Sequence, residues 1–159
     1  MLSLNTDAPS FTLLDAHEKK HKLEDYQNNW LVIYFYPKDN TPGCTKEACA
    51  LRDDYQIFTD LNTEVIGIST DNSHSHANFT TKQSLNFTLL ADPKGVVSQA
   101  YGALFKLGPV KFSKRHSFII NPKGKIVKIY RSVSPSLHSQ ELLTDLRELQ
   151  KKYIELPNR

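Results

Sequence analysis

The stretch Trp30-Leu-Val-Ile-Tyr-Phe-Tyr36, with Pro37 directly after it, decides the fold. Seven apolar or aromatic residues in a row, many of them β-branched or aromatic, predict a strand buried on both faces, and Pro37 ends it. Strands covered on both sides belong to sheets with helices packed above and below. Thr41-Pro-Gly43 then breaks the chain, and a helix is predicted over residues 44–61, with Ala48, Leu51, Tyr55 and Phe58 recurring at helical spacing.

Outward from this unit, strands and helices alternate. Towards the N-terminus, residues 11–14 read as a short strand, 16–20 as a turn and 21–23 as a possible return strand. Towards the C-terminus, residues 65–68 are a buried strand, 72–83 a polar helix, 87–90 a strand and 96–101 a short helix. Residues 102–114, with Gly108-Pro109, read as a basic loop. A hairpin follows: strands at 117–120 and 126–130 around the turn Asn121-Pro-Lys-Gly124. Leu142, Leu146, Leu149 and Tyr153 then mark an amphipathic helix whose start is signalled by Pro135 and Ser136. The order predicts an α/β domain: a mixed central sheet with helices on both faces, one domain over residues 1–159.

Composition narrows the function. The 159 residues are 39% hydrophobic and 23% charged, enough for one packed core without disulfide staples. No run approaches the roughly 20 apolar residues of a membrane span. The start lacks a basic and apolar leader, so a cytoplasmic protein is expected. The net charge is +3, with Lys106, Lys111, Lys114 and Arg115 the one basic cluster. A nucleic-acid surface needs a denser basic stripe, and none is expected. Two Asn-Phe-Thr triplets, at Asn78 and Asn86, match a glycosylation acceptor but read as chance matches without a leader.

The chemistry rests on two cysteines, Cys44 and Cys49. They are too few for a disulfide framework, and the six histidines do not stand at zinc-finger spacing from them. His74 and His76 read as a polar helix face rather than metal ligands. Cys44 is placed where a central strand hands over to a helix, the usual ligand end of an α/β sheet. The first turn of a helix has unsatisfied N–H groups and a positive dipole end, which favour a sulfur anion. Thr41 has a hydroxyl that could bond the sulfur or an incoming substrate, or simply cap the helix. Pro37 could shield the sulfur from water, and Gly43 lets the backbone come close to a ligand.

Two residues five apart on one α-helix have Cα atoms about 8.7 Å apart and about 140° apart around the axis. A disulfide tolerates Cα separations up to about 7 Å. Either Cys49 is structural, or the first turns unwind before the sulfurs join. A thiolate attacked by peroxide gives a sulfenic acid, which a second thiol converts to a disulfide. Negative charge developing on the leaving oxygen needs a donor, and Arg115, just before the 117–120 strand, is the candidate.

The run Tyr34-Phe-Tyr-Pro-Lys-Asp-Asn-Thr-Pro-Gly-Cys-Thr-Lys-Glu-Ala-Cys-Ala-Leu-Arg-Asp53 resembles the active-site segment of the peroxiredoxin Q family, also called bacterioferritin comigratory proteins. Its pattern Pro-x-x-x-Thr-x-x-Cys is matched by Pro37, Thr41 and Cys44, and its resolving cysteine by Cys49. Ala8-Pro-Ser-Phe-Thr-Leu13, Val65-Ile-Gly-Ile-Ser-Thr-Asp71, Phe87-Thr-Leu-Leu-Ala-Asp92, Tyr101-Gly102 and Arg115-His-Ser-Phe-Ile-Ile120 follow in the family's order. The resemblance implies a thioredoxin-like fold. It also implies reduction of hydrogen peroxide and organic hydroperoxides without metal or flavin. Recycling by thioredoxin or a similar dithiol, and a monomeric state, are implied as well. Cys44 would be the peroxidatic and Cys49 the resolving residue, with Arg115 in the site. Residues 103–114 resemble the short form of a loop that is longer in many members. His116, beside the arginine, reads as a solvated surface histidine. Two other readings stand beside this one. A protein disulfide oxidoreductase would usually carry Cys-x-x-Cys. A redox sensor would oxidise once without turnover.

Overall fold

A computed structural model describes residues 2–155. Seven strands form one mixed sheet: β1 (Thr12–Asp15), β2 (Lys20–Lys22), β3 (Trp30–Phe35), β4 (Thr63–Ser69), β5 (Thr88–Ala91), β8 (Ser117–Ile120) and β9 (Ile126–Tyr130). Two further strands, β6 (Leu104–Leu107) and β7 (Val110–Ser113), pair separately. The helices are α1 (Pro42–Asp60), α2 (Ser73–Gln83), α3 (Val96–Ala100) and α4 (His138–Glu155). The large sheet runs in the order β2-β1-β5-β4-β3-β8-β9. β3, β4 and β5 are parallel neighbours, and the outer pairings are antiparallel.

β3 is buried along its whole length, as its unbroken apolar run requires. Side chains alternate across a strand. Trp30, Val32, Tyr34 and Tyr36 therefore enter one cluster, with Ala48, Leu51 and Phe58 of α1, Phe79 of α2 and Leu142, Leu143 and Leu146 of α4. Leu31, Ile33 and Phe35 enter the other, with Phe11, Val97 of α3, Tyr101 and Phe118. Helices thus lie on both faces, but unequally. Three long helices cover one side; the other has one short helix and the N-terminal segment.

Local chemistry sets the helix ends. Pro42 opens α1 in the first-turn position, where its missing N–H costs nothing. Asn72 caps α2, its side chain accepting from Ser75 N–H at 2.8 Å. α2 ends at Ser84 in the left-handed region, φ 52°. α4 starts at His138, three residues after Pro135, and its Ser139 hydroxyl donates to Asp54 of α1 at 2.7 Å.

One expectation is overturned. Residues 102–114 are not a loop throughout but carry the β6–β7 hairpin, with Phe105 opposite Phe112, Lys106 opposite Lys111 and Leu107 opposite Val110. Phe105 and Phe112 stack with ring centroids 4.6 Å apart. Cross-strand aromatic pairing of this kind stabilises a short ribbon.

Gly67 in β4 lies between Tyr34 of β3 and Leu89 of β5, its direct neighbours in the sheet. A Cβ there would lie 2.7 Å from the Tyr34 ring and 2.9 Å from Leu89 Cδ2, both in the core. Gly67→Ala should therefore lower stability by about 1–3 kcal/mol, the usual cost of overpacking. Denaturant unfolding measures this; an unchanged midpoint would show that the Tyr34 ring moves freely aside.

Candidate active site

Cys44 sits in the first turn of α1, straight after the loop that leaves β3, and is 1% exposed. The end of β8 brings in the other half of the site. β8 runs antiparallel to β3, with Ser117 opposite Tyr34, and Phe35 N–H donates to the His116 carbonyl at 2.7 Å. Arg115 is thereby delivered beside the start of α1. Its Nη2 donates to Cys44 Sγ at 3.4 Å, and its Nη1 donates to Glu47 Oε1 at 2.8 Å. Burial alone would weaken the guanidinium charge, but the Cys44 sulfur and the Glu47 carboxylate outweigh it and raise the Arg115 pKa.

Gly43 makes room for that approach. A Cβ at this position would lie 3.2 Å from Arg115 Nη2. The sequence assigned Gly43 to close contact with a ligand; the close neighbour is the arginine itself. Thr41 occupies the N-cap with extended backbone, and its carbonyl accepts from Thr45 N–H at 2.8 Å. Its hydroxyl does not cap the helix but donates to the Lys38 carbonyl at 2.8 Å. With its hydrogen committed there, Oγ1 faces other groups as an acceptor. Pro37 is half-buried where the strand ends.

Glu47 is the residue the sequence reading missed. It stands three positions after Cys44, one helical turn on, so both side chains share a face. Its side chain is 1% exposed, and Oε2 has no hydrogen-bond partner among the described residues. Burial pushes its pKa up from 4.5 to about 7, although Arg115 pulls the other way. The Tyr34 hydroxyl is likewise buried without a partner among the described residues. Burial, then the charges of Glu47 and Cys44, push its pKa well above 10, so it stays a phenol able to donate.

Cys49 lies on the same helix but faces away. Its half-buried thiol donates to Gln83 Oε1, at the end of α2, at 3.5 Å. Both cysteines are free. The helix is unbroken between them, so the two sulfurs cannot bond with α1 intact.

Two histidines differ from expectation. His116 is 9% exposed, not a solvated surface group, and its Nδ1 has no partner among the described residues. Burial, with the charges of Lys114 and Arg131, lowers its pKa. The polar-face reading holds for His74, which is exposed, but not for His76, which is fully buried.

Residues 4–129 match the AhpC/TSA family. The chain belongs to that family. It is 36% identical over 157 residues to "Peroxiredoxin Bcp" of Bacillus subtilis, covering 95% of this chain and 99% of that one. The PrxQ structure from Xylella fastidiosa superposes with a TM-score of 0.88 at 30% identity, over 94% of this chain and 98% of the other. The Xanthomonas campestris bacterioferritin comigratory protein, described for its alkyl peroxide reduction activity, gives 0.82 at 30% identity over 87% and 90%. The fold is therefore that of the thioredoxin-like peroxiredoxins. The chain is a thiol peroxidase of the bacterioferritin comigratory type, with Cys44 and Cys49 placed as in its two-cysteine members.

The Glu47 shift has a consequence for stability. Below about pH 4.5 the carboxyl is protonated whether the chain is folded or not. Between there and about pH 7 the folded chain keeps a proton that the unfolded chain has released, so this group's contribution to stability falls as pH rises. Glu47→Gln should remove that fall. The difference in unfolding free energy between variant and wild type should shift in the variant's favour from pH 4.5 to pH 8; a difference independent of pH would refute the buried-carboxyl account.

Proposed function

We propose that Cys44 is the peroxidatic residue and Cys49 the resolving one, with Arg115 and Thr41 positioning the hydroperoxide. The observation that carries this is the Arg115 guanidinium, which bonds the Cys44 sulfur at 3.4 Å while Glu47 holds its other nitrogen. That arrangement holds a fixed cation beside the sulfur, where the leaving oxygen develops charge. The Thr41 Oγ1 accepts a hydrogen bond from the hydroperoxide O–H. Pro37 and Gly43 support the site, one limiting water and the other admitting the arginine.

The chemistry balances in three steps. The Cys44 thiolate attacks the terminal peroxide oxygen and the O–O bond breaks; that oxygen keeps its hydrogen on sulfur, and the alkoxide or hydroxide leaves and takes a proton from water. Cys44 is then a sulfenic acid. The first turns of α1 unwind, the Cys49 thiol attacks the sulfenic sulfur, an S–S bond forms and water departs. A dithiol reductant of the thioredoxin type then reduces the disulfide by thiol exchange and is itself oxidised. The substrates are hydrogen peroxide and organic hydroperoxides, a reading supported by the alkyl peroxide activity described for the Xanthomonas protein. The 159-residue chain works as one domain and as a monomer. Its compartment is the cytoplasm, where free thiols stay reduced. No helix among the described residues is long and apolar enough to cross a membrane.

Mass spectrometry after one equivalent of hydrogen peroxide tests the scheme. The expected product is an intramolecular Cys44–Cys49 disulfide. A Cys44 sulfinic acid with Cys49 still free, or a disulfide only between chains, overturns the resolving role. Cys44→Ser should abolish turnover. Cys49→Ser should keep the first oxidation and lose recycling by a dithiol. Sustained peroxide consumption with thioredoxin and its reductase excludes a sensor that oxidises only once.

A further inference from the structure

A second buried polar cluster lies on the loop that precedes Cys44. Asp39 is in that loop, two residues after Pro37 and two before Thr41. Its side chain is 1% exposed and that of its partner His76, in α2, is 0% exposed. Asp39 Oδ2 lies 2.7 Å from His76 Nδ1, and His76 Nε2 donates to the Leu90 carbonyl at 3.0 Å. The Tyr36 hydroxyl donates to Asp39 Oδ1 at 2.6 Å, and the Ser75 hydroxyl to Oδ2 at 2.8 Å. The Asp39 backbone N–H donates to Asp71 Oδ2 at 2.8 Å, which also accepts from Ser69 Oγ at 2.6 Å. The loop is thus held from the end of β3, from α2 and from the segment after β4.

Counting hydrogens fixes the character of this pair. A carbonyl oxygen only accepts, so His76 Nε2 carries a hydrogen. At 2.7 Å a second hydrogen must lie between Nδ1 and Oδ2. Whichever atom holds it, the pair is neutral overall, which is how two ionisable groups are tolerated without solvent. The ligand atoms of Asp39, Asp71 and His76 also lie within 4.8 Å of one another, spacing that a cation could use. Both imidazole nitrogens are already bonded, to Asp39 and Leu90, so the cluster is a hydrogen-bond clamp.

The same helix meets the second cysteine. Gln83, at the other end of α2, accepts from Cys49 Sγ, and its backbone carbonyl accepts from Arg52 Nη1 at 2.7 Å. The segment that must unwind for a disulfide, residues 42–49, lies between these two attachments.

We infer that Asp39 and His76 are positioning residues for the peroxidase reaction: they pin the 37–41 loop, and with it Thr41 and the start of α1, in the geometry in which Cys44 meets peroxide. The inference rests on the cysteine roles proposed above. The link is short and covalent. Lys38, whose carbonyl takes the Thr41 hydroxyl, is the neighbour of Asp39. Asn40 adopts φ 64°, so the turn is tight and its direction depends on what holds Asp39. The clamp lies outside residues 42–49, so it sets the oxidation step without opposing the unwinding.

Rapid-quench oxidation by hydrogen peroxide tests this. Thiol alkylation and mass mapping follow loss of the Cys44 thiol and gain of the disulfide as separate steps, at a temperature where each variant is folded by circular dichroism. Asp39→Ala and His76→Ala should each slow Cys44 oxidation by about ten- to a hundredfold, the scale expected for a misplaced reacting group. The double variant should be no slower than the worse single one, because the two act as a unit. Asp39→Asn can keep these neighbours bonded, its amide N–H groups donating to an unprotonated Nδ1 and to the Ser75 oxygen, and should oxidise at close to the wild-type rate. In no variant should disulfide formation from the sulfenic acid be slower. Unchanged oxidation in both alanine variants, an asparagine variant as slow as alanine, or equal slowing of both steps would overturn the inference. Should Asp39→Ala not fold, Ser75→Ala removes one donor and keeps the Asp39–His76 hydrogen bond; it should slow the oxidation step alone, and no slowing would overturn the clamp. Absence of any disulfide in the wild type would overturn the cysteine assignment instead, while the Cys44 oxidation rates would still decide the positioning role.

Discussion

Strand β3 has no face to spare for water. Every residue from Trp30 to Phe35 is buried, so apolar layers must lie above and below it and hydrogen-bonded strands on both edges. The parallel neighbour β4 and the antiparallel neighbour β8 meet the edge requirement. The antiparallel one also builds the site. Because β8 runs against β3, its first residues lie beside the last residues of β3, where the chain turns into α1. Arg115 and Cys44 are 71 positions apart in sequence, yet they meet because each flanks the same end of this strand pair. The site is thus a product of sheet topology, and the loop sequence then tunes it.

The parts of this that were legible in the sequence are those written as local patterns. The seven-residue apolar run announced β3, Thr41-Pro-Gly43 announced the helix start, and a five-residue spacing on one helix separated the two sulfurs. Arg115 was legible through its likeness to the family's strand, since by itself it was one of 20 basic residues. Glu47 was harder. A glutamate on a helix is expected in solvent, and only its partner, supplied by a strand far along the chain, allows its burial. Its one-turn spacing from Cys44 was the available signal. Asp39 and His76 are 37 positions apart, and nothing local ties them. The hairpin was missed because Gly108-Pro109 suggested a loop. The mirrored order Phe105-Lys-Leu before it and Val110-Lys-Phe after it already pairs like with like across a turn.

The buried polar groups fall into two kinds, which bear on how rigid each part of the site is. Around Asp39 every donor and acceptor has a partner, and such fully satisfied clusters fix one arrangement. Around Cys44 the account is incomplete: the Tyr34 hydroxyl and Glu47 Oε2 are buried with no partner among the described residues. Unsatisfied buried groups cost stability, and they gather where a substrate or a conformational change can satisfy them. The loop before Cys44 is therefore the firm side of the site, and the first turns of α1 are the side with least to lose by moving.

Glu47 sharpens that contrast, because it lies between the two cysteines and must move if the helix opens. In the folded chain its carboxyl is held near pKa 7, against 4.5 in water. A shift of that size corresponds to an order of 3 kcal/mol stored in the buried carboxylate at and above neutral pH. That energy is net of the Arg115 contact, so returning the carboxyl to water offsets part of the helical hydrogen bonds that unwinding residues 42–49 breaks. Arg115 bonds the Cys44 sulfur through Nη2 and Glu47 through Nη1, so one guanidinium ties the two residues together. In the mechanism proposed above, conversion of Cys44 to a sulfenic acid replaces the sulfur that Arg115 Nη2 faces, and with it one of the two contacts that fix the guanidinium beside Glu47. On the mechanism proposed above, the guanidinium that faces the reacting sulfur also ties down the first turns of the helix, and the opening that Cys49 needs must break that tie.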